Sequence, residues 1–487
     1  MAVHGNFDAN EGWYANDVFL ITQGEIPYRD FFYHRLPLFL YSFIPFATVT
    51  TLDWVPLRLI SALYALIAGF FLNLLISRKV SRQAAWLGLA LMLTNLQGIH
   101  IYATVQSYAL VSLLLLMTVC LAEASGRAIS DRLGVILIAL VAVITQWLRY
   151  PIDYIPIAFL LYLFIVYFRR PNLVLIGILT ATLGHGILLG IFWSDNFSYD
   201  LTLGMFPEWK LGSGSQNLPS NTFNTWLAYK SEWLFSGIRW FVSLIILGFP
   251  LAFMAASRIK SKTLLQNFKQ ERGATLAILL VLGNAAMNFL APDGHVVQMY
   301  FVFPLMIYLT ALFWGKIKPA FVPTGKTFLV AAVALVPSLF LSGHEFRLFS
   351  SELDTAIVKS IGQEIKKQCP SGGQVLTLSP LVAMASGLRI LQGFEFEAYA
   401  FFEALPSGEA RAHHLLNPDI LLEKIRSKKA CVVHLDDRLL NSAGTAARFG
   451  ESRSRAFNEI EKNYRLAKTL SSPPEIFLRG PVKIYRE

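Results

Sequence analysis

Between Asp8 and Pro37 the chain reads DANEGWYANDVFLITQGEIPYRDFFYHRLP, five carboxylates interleaved with Arg29, His34 and Arg35. A carboxylate beside an acceptor hydroxyl can take its proton, and cations beside it can hold an anionic leaving group. Glu11, Asp8 and Asp30 are the candidate bases. Asp8 and Glu11 stand three residues apart and share a face if the segment is helical. Two carboxylates so close raise the proton affinity of one of them, which suits a base working near neutral pH. The alternative is structural: Asp8 as a helix N-cap and Glu11 at the third helical position, an acid variant of the capping box.

The stretch cannot itself cross a bilayer, because no apolar window in it approaches the roughly 20 residues a span needs. Trp13, Tyr14, Phe19, Tyr28, Phe31, Phe32 and Tyr33 alternate with the charges, the pattern of an amphipathic segment in the headgroup region. Cations recur farther on, where Arg58, Arg149 and Arg239 fall at the outer ends of apolar runs and His295 lies in an outer turn. Arg is suited to bidentate phosphate recognition, and its other use at such a place is as a snorkelling anchor. Arg149, in the turn Trp147-Leu148-Arg149-Tyr150-Pro151, is the better ligand candidate. The runs from Trp54 to Ser342 hold no internal Asp or Glu, which counts against an ion-coupled carrier.

What positions these groups is a large apolar body. The chain has 487 residues, 54% of them hydrophobic and 15% charged, the profile of a multi-span membrane protein. Its net charge of +10 sits mostly in short loops, as topology signals do, and nucleic-acid binding is not indicated. Leu38 to Leu52, broken by Pro45, reads as an interfacial or half-inserted helix. Apolar runs then follow at about 58–77, 84–102, 105–124, 133–149, 152–168, 173–193, 238–256, 274–291, 297–314 and 326–342. About ten spans are expected. Most Lys and Arg of the connecting loops fall in one alternate set, from Arg78 and Lys79 to Lys326, which makes that set cytoplasmic. The opening stretch, the loop Ser194 to Gly237 and everything after Ser342 are then outside. That loop is long enough to be a lid or a substrate contact, or else a variable surface loop.

From Gly343 the composition turns soluble. Helix-like stretches at Glu352 to Gln368, Asp419 to Lys429 and Glu459 to Lys468 alternate with strand candidates at Val375 to Leu378, Arg389 to Gly393, Ala430 to His434 and Val482 to Tyr485. The fold class expected is therefore a polytopic α-helical membrane protein with a C-terminal soluble α/β domain: residues 1–52 an outer loop, 53–342 the transmembrane domain, 343–487 the outer α/β domain. That last domain has no Gly-rich phosphate loop, and a scaffold or acceptor-binding role is expected of it. Cys369 and Cys431 both fall in it, and without a dense cysteine framework two separate thiols are the commoner outcome. Three cysteines with no paired spacing and no nearby His cluster leave zinc or iron unsupported. No cofactor is indicated, and a divalent metal is left open.

The opening stretch NEGWYANDVFLITQGEIPYRDFFYHRLPLFLY resembles the first outer loop of the family 39-like membrane glycosyltransferases of the GT-C superfamily, which use polyprenyl-phosphate sugars as dolichyl-phosphate-mannose mannosyltransferases do. Gly294-His295-Val296-Val297-Gln298-Met299-Tyr300 is similar to that family's His-Tyr-x-x-Gln element. The resemblance covers nearly the whole chain and says little of which sugar moves. It implies an inverting transfer from a polyprenyl-phosphate donor to a lipid, glycan or protein acceptor, on the outer face of a bacterial inner membrane. It implies Arg35 in contact with the donor phosphate, with His34, Tyr14, His295 and Gln298 as substrate-binding positions by motif. The family has an acid pair where this chain has Asn10 and Glu11, so Glu11 is the retained acid and Asp8 the nearest other. The family also has a transmembrane helix before this loop, for which Met1 leaves no room, and no signal peptide is seen; a late-assigned start or a truncated chain is expected. The competing readings are a lipid or glycan translocator without chemistry and a non-catalytic family member.

Overall fold

The computed structural model describes residues 10–47, 54–149, 154–194, 196–205, 230–231, 234–238, 241, 244, 270–290, 296–317, 355–369, 372–436, 449–470 and 482–486. By its internal contacts the chain divides into two compact units, one of Met1–Ile60, Phe192–Pro219 and Phe349–Glu487, the other of Ser61–Ile191 and Ser220–Leu348.

The second unit is helical because its sequence is apolar all round. Among the described residues, four helices are long and apolar enough to cross a membrane: Trp54–Lys79, Asp131–Leu148, Pro171–Phe192 and Arg272–Leu290. The first of them, 26 residues long, rises about 39 Å against a hydrocarbon core of about 30 Å. Pro171–Phe192 presents Leu175, Leu179, Leu183, Ile187 and Ile191 outward at four-residue spacing, a ridge that only a lipid surface leaves stable. The expected run at 84–102 is broken. Arg82–Thr94 and Leu96–Ala103 meet at 75°, with Asn95 extended between them and its Oδ1 accepting from Gly98 N at 2.7 Å and Tyr300 Oη at 2.9 Å. Counted as one span, the pair makes five. Tyr108–Ala124, Tyr154–Tyr167 and Phe303–Phe313 are apolar but shorter, and the runs at 326–342 and most of 238–256 lie outside the described residues. The count of ten is thus not reached among the described residues; a mostly helical, multi-pass membrane chain is.

Carboxylates in this unit sit at helix ends and meet cations there. Lys79 pairs with Glu123, and with Glu271 at 3.0 Å, while Asp131 holds Arg272 and Arg170. Acid and base at the ends of different helices lock those ends together.

In the other unit Leu38–Tyr41 and Ile44–Ala47 are short helices. A five-stranded sheet follows, with β1 Gln374–Thr377, β2 Arg389–Ile390, β3 Ala430–Asp436, β4 Arg465–Leu470 and β5 Val482–Arg486. Its order is β2-β1-β3-β5-β4, with β1 parallel to β2 and β3, and β5 antiparallel to β3 and β4. The helices Thr355–Gln368, Pro380–Ser386, Pro418–Arg426 and Ser452–Asn463 supply the apolar faces that bury it. The stretch expected as a helix at Glu459 to Lys468 instead ends its helix at Asn463 and continues as β4. That strand is an exposed edge with no apolar alternation, so RLAKTL carries no period-two signal.

Cys369 and Cys431 are disulfide-bonded, their Cα atoms 5.6 Å apart, where separate thiols were expected. Gly373 makes room for the bridge, since a Cβ there would run into both sulfurs.

Candidate functional site

The opening segment forms the helix Glu11–Thr22, closed by a turn at Gly24 with φ +89°. Asn10, not Asp8, stands at its N-cap, makes no side-chain cap bond, and puts Glu11 at the first helical position. No capping box of the expected register forms there. The helix is buried nearly all round. Gly12 lets it approach Leu381, whose Cγ would lie 3.0 Å from an added Cβ. Trp13 packs on Phe396 and Tyr399 with ring centroids 4.3 and 4.9 Å apart.

Glu11 is fully buried, and both its oxygens are taken by Arg58: Nε donates at 2.7 Å and Nη2 at 2.6 Å. Arg58 is itself 1% exposed. A buried charge must be paired, and this bidentate fork satisfies both partners at once. Arg58, read from sequence as either anchor or phosphate ligand, therefore serves the first loop's own acid.

Asp30 lies at the surface, accepting from Ile26 N at 2.8 Å and from Arg29. The Arg29 bond holds its carboxyl below the usual range. Asp8 lies outside the described residues, as does His295. Tyr14 is buried edge-on to Phe39. Arg35 is half-buried and its Nε donates to His34 Nε2 at 3.0 Å. His34 packs its ring on Phe396 at 4.4 Å and is stacked with Phe32.

Arg149 and Gln298 belong to the other unit. Arg149 is buried, with its guanidinium 4.7 Å from the Tyr108 ring and 5.2 Å from that of Phe301, and Nη1 3.5 Å from Ser107 Oγ. The two rings are themselves stacked with centroids 4.5 Å apart, so the guanidinium lies against the pair and not between them. The Gln298 carbonyl accepts from Asn284 Nδ2 at 3.2 Å. Among the described residues, no three His, Cys, Asp or Glu side chains group so as to hold a metal ion.

Three buried carboxyls of the first unit were not among the expected site residues. Asp17, on the first helix, is 1% exposed, and burial followed by repulsion from Glu395 raises its proton affinity well above the ordinary. Burial pushes Glu395 itself up to about 7. Asp200, on the Phe197–Met205 helix, is pushed up to about 7 by burial against the pull of His413, whose Nδ1 lies 2.7 Å from its Oδ1. Asp17 had a signal in its place among the five carboxylates of the opening stretch and Asp200 in its place in the long loop from Ser194, while Glu395 had none.

No family model matches this sequence, and no curated protein matches it. Solved structures do. ArnT from Cupriavidus metallidurans in the apo state is similar over 99% of this chain and 94% of its own, with a TM-score of 0.60 at 11% identity. The same protein bound to undecaprenyl phosphate gives 0.59 over the same shares. An oligosaccharyltransferase of Archaeoglobus fulgidus is more distant, with a TM-score of 0.42 at 12% identity. Along nearly its whole length the chain thus has the fold of ArnT.

Proposed function

We propose that this protein is a membrane glycosyltransferase that moves a sugar from a polyprenyl-phosphate donor to a lipid, glycan or protein acceptor, with inversion at the transferred carbon. The observation that carries the proposal is the full-length likeness to ArnT, one structure of which is bound to undecaprenyl phosphate. In the same reading the chain has about ten spans, lies in a bacterial inner membrane, and carries residues 343–487 as an α/β domain on the outer face with the first loop.

The acceptor hydroxyl attacks the anomeric carbon, the carbon–oxygen bond to phosphate breaks, the polyprenyl phosphate leaves, and the hydroxyl proton passes to a carboxylate of the first loop. Glu11 is the base by motif position, with Asp8 and Asp30 as the other loop acids. The leaving phosphate meets Arg35 with His34, and Tyr14 is a substrate-binding position; Arg149, His295 and Gln298 are the substrate-binding positions read from the sequence of the other unit. Stabilising the charge that develops on the leaving group is the larger part of such catalysis.

A second reading, translocation without chemistry, draws on the span broken at Asn95, since broken helices line substrate paths in carriers. The two part on one comparison. Membranes with and without the protein are analysed by mass spectrometry for polyprenyl-phosphate-linked sugars and for the surface glycan, with Glu11→Gln, Asp8→Asn and Asp30→Asn proteins alongside. Transfer predicts that the donor accumulates when the protein is lost, and that at least one folded acid variant behaves as the loss does. Unchanged donor and glycan pools on loss of the protein would overturn it.

A further inference from the structure

The turn from Pro27 to Arg35 is held by residues far off in the chain, all within the first unit. Asn196 Nδ2 donates to the carbonyls of Tyr28 at 3.0 Å and Ala412 at 2.9 Å. His414 Nε2 donates to the Arg29 carbonyl at 2.7 Å, while Gln392 donates to His414 Nδ1 at 3.0 Å and to the Asp30 carbonyl at 3.3 Å. Beside them Asp200 and His413 are paired, with the Tyr199 ring stacked flat on His413 at 3.7 Å.

Backbone strain marks the same place. Tyr28 has φ 68° and His414 φ 57°, a left-handed conformation that bulky residues hold only when their surroundings over-determine it. Tyr28 is 1% exposed, and its hydroxyl donates to the Arg35 carbonyl. A continuous chain of hydrogen bonds therefore runs from Asn196 and Ala412 through the Tyr28 backbone to the backbone of Arg35.

We propose that Asn196, Asp200, His413 and His414 form a junction that sets the Tyr28 turn and, through the Tyr28 hydroxyl, the placement of Arg35. They are positioning residues, and their link to the donor rests on the role given to Arg35 under the proposed function. Arg35 is a loop residue with a long flexible side chain, and fixing its carbonyl removes much of the freedom it would otherwise lose on meeting an anion. His413 and His414 are adjacent in sequence and serve the two sides of the junction, one holding the Phe197–Met205 helix and the other the turn.

The test uses full-length protein in detergent with Asn196→Ala, Tyr28→Phe, His413→Ala and His413→Asn, the last of which keeps a donor where Nδ1 stood. Amide hydrogen exchange reads the junction directly. Residues 26–36 should exchange faster, on the order of tenfold, in the first three variants, with His413→Asn restored toward wild type and 61–149 unchanged, because local opening follows the hydrogen bonds lost. Wild-type exchange in folded Asn196→Ala and Tyr28→Phe proteins would overturn the proposal. Binding of undecaprenyl phosphate then reads the link to Arg35. Tyr28→Phe should weaken it about tenfold in the wild-type background and leave it unchanged in Arg35→Ala, the signature of coupled residues. Equal losses in both backgrounds would sink that link. Faster exchange together with a wild-type protein that does not bind undecaprenyl phosphate would leave the junction standing and count against the proposed function instead.

Discussion

At the residue scale the decisive fact is the Glu11–Arg58 fork. Sequence singled out both residues but not their pairing, because 47 positions separate them and only the folded chain brings them together. A base needs an oxygen free to receive a proton, and Arg58 engages both oxygens of Glu11, so loss of transfer in a Glu11 variant has two possible causes that must be separated. Removing one partner of a buried pair strands the other charge and costs about 3–5 kcal/mol, whereas replacing both with apolar residues of similar size is often neutral. Arg58→Met should therefore lower the thermal midpoint sharply, and Glu11→Leu combined with Arg58→Met should recover most of the loss. A double variant as unstable as the single one would show that the pair is not what holds the first helix in place. Transfer absent from a double variant of recovered stability would leave Glu11 with a chemical role.

At the element scale, the first helix and the segment after β2 each carry a buried acid, Asp17 and Glu395, that pattern reading did not mark as buried. Asp17 lies on a helix whose faces are all buried, so no polar face set it apart, and Glu395 stands in an irregular turn. What was legible was periodicity: Gln374–Thr377, Ala430–Asp436 and Val482–Arg486 all lie where short β-branched runs stood, while the exposed edge β4 had none. The buried acids give this unit a particular response to pH. Carboxyls of an unfolded chain titrate near 4, while Glu395 and Asp200 in the fold titrate at about 7. The folded state thus binds more protons between those values, and its stability falls as pH rises from about 4 to about 7 and levels off above. His434 works in the opposite sense: burial lowers it to about 4, so its contribution is lost as pH falls below about 6.5. The expected outcome is a thermal midpoint that falls by several degrees from about pH 5 to about pH 7 and levels off by pH 8, with Glu395→Gln flattening this alkaline side. An alkaline side equally steep in Glu395→Gln protein would remove Glu395 from the account.

At the scale of the whole molecule, hydropathy made the membrane class plain, and the likeness to ArnT gives the fold along nearly the whole chain. Span boundaries were less legible. A run of apolar residues does not reveal that Asn95 turns its helix by 75°, because beside the local capping bond from Gly98 N the bond that holds Asn95 there comes from Tyr300, some two hundred residues away. Orientation remains an argument from charge: Arg78, Lys79, Arg82, Arg127, Arg132, Arg169 and Arg170 fall in alternate connections, and such connections stay in the cytoplasm. Single cysteines in a Cys120→Ser background measure this directly. Ser81 caps the helix after it through a bond to Ala84 N, so exposed Gln83 is the better inner position, and exposed Glu403 serves for the outer one. A membrane-impermeant thiol reagent added to intact cells should label the cysteine at 403 and leave the one at 83 unlabelled until the membrane is opened. Labelling at 83 with protection at 403 would place the first loop and the sheet on the cytoplasmic side, where soluble nucleotide sugars rather than polyprenyl phosphates would be the accessible donors.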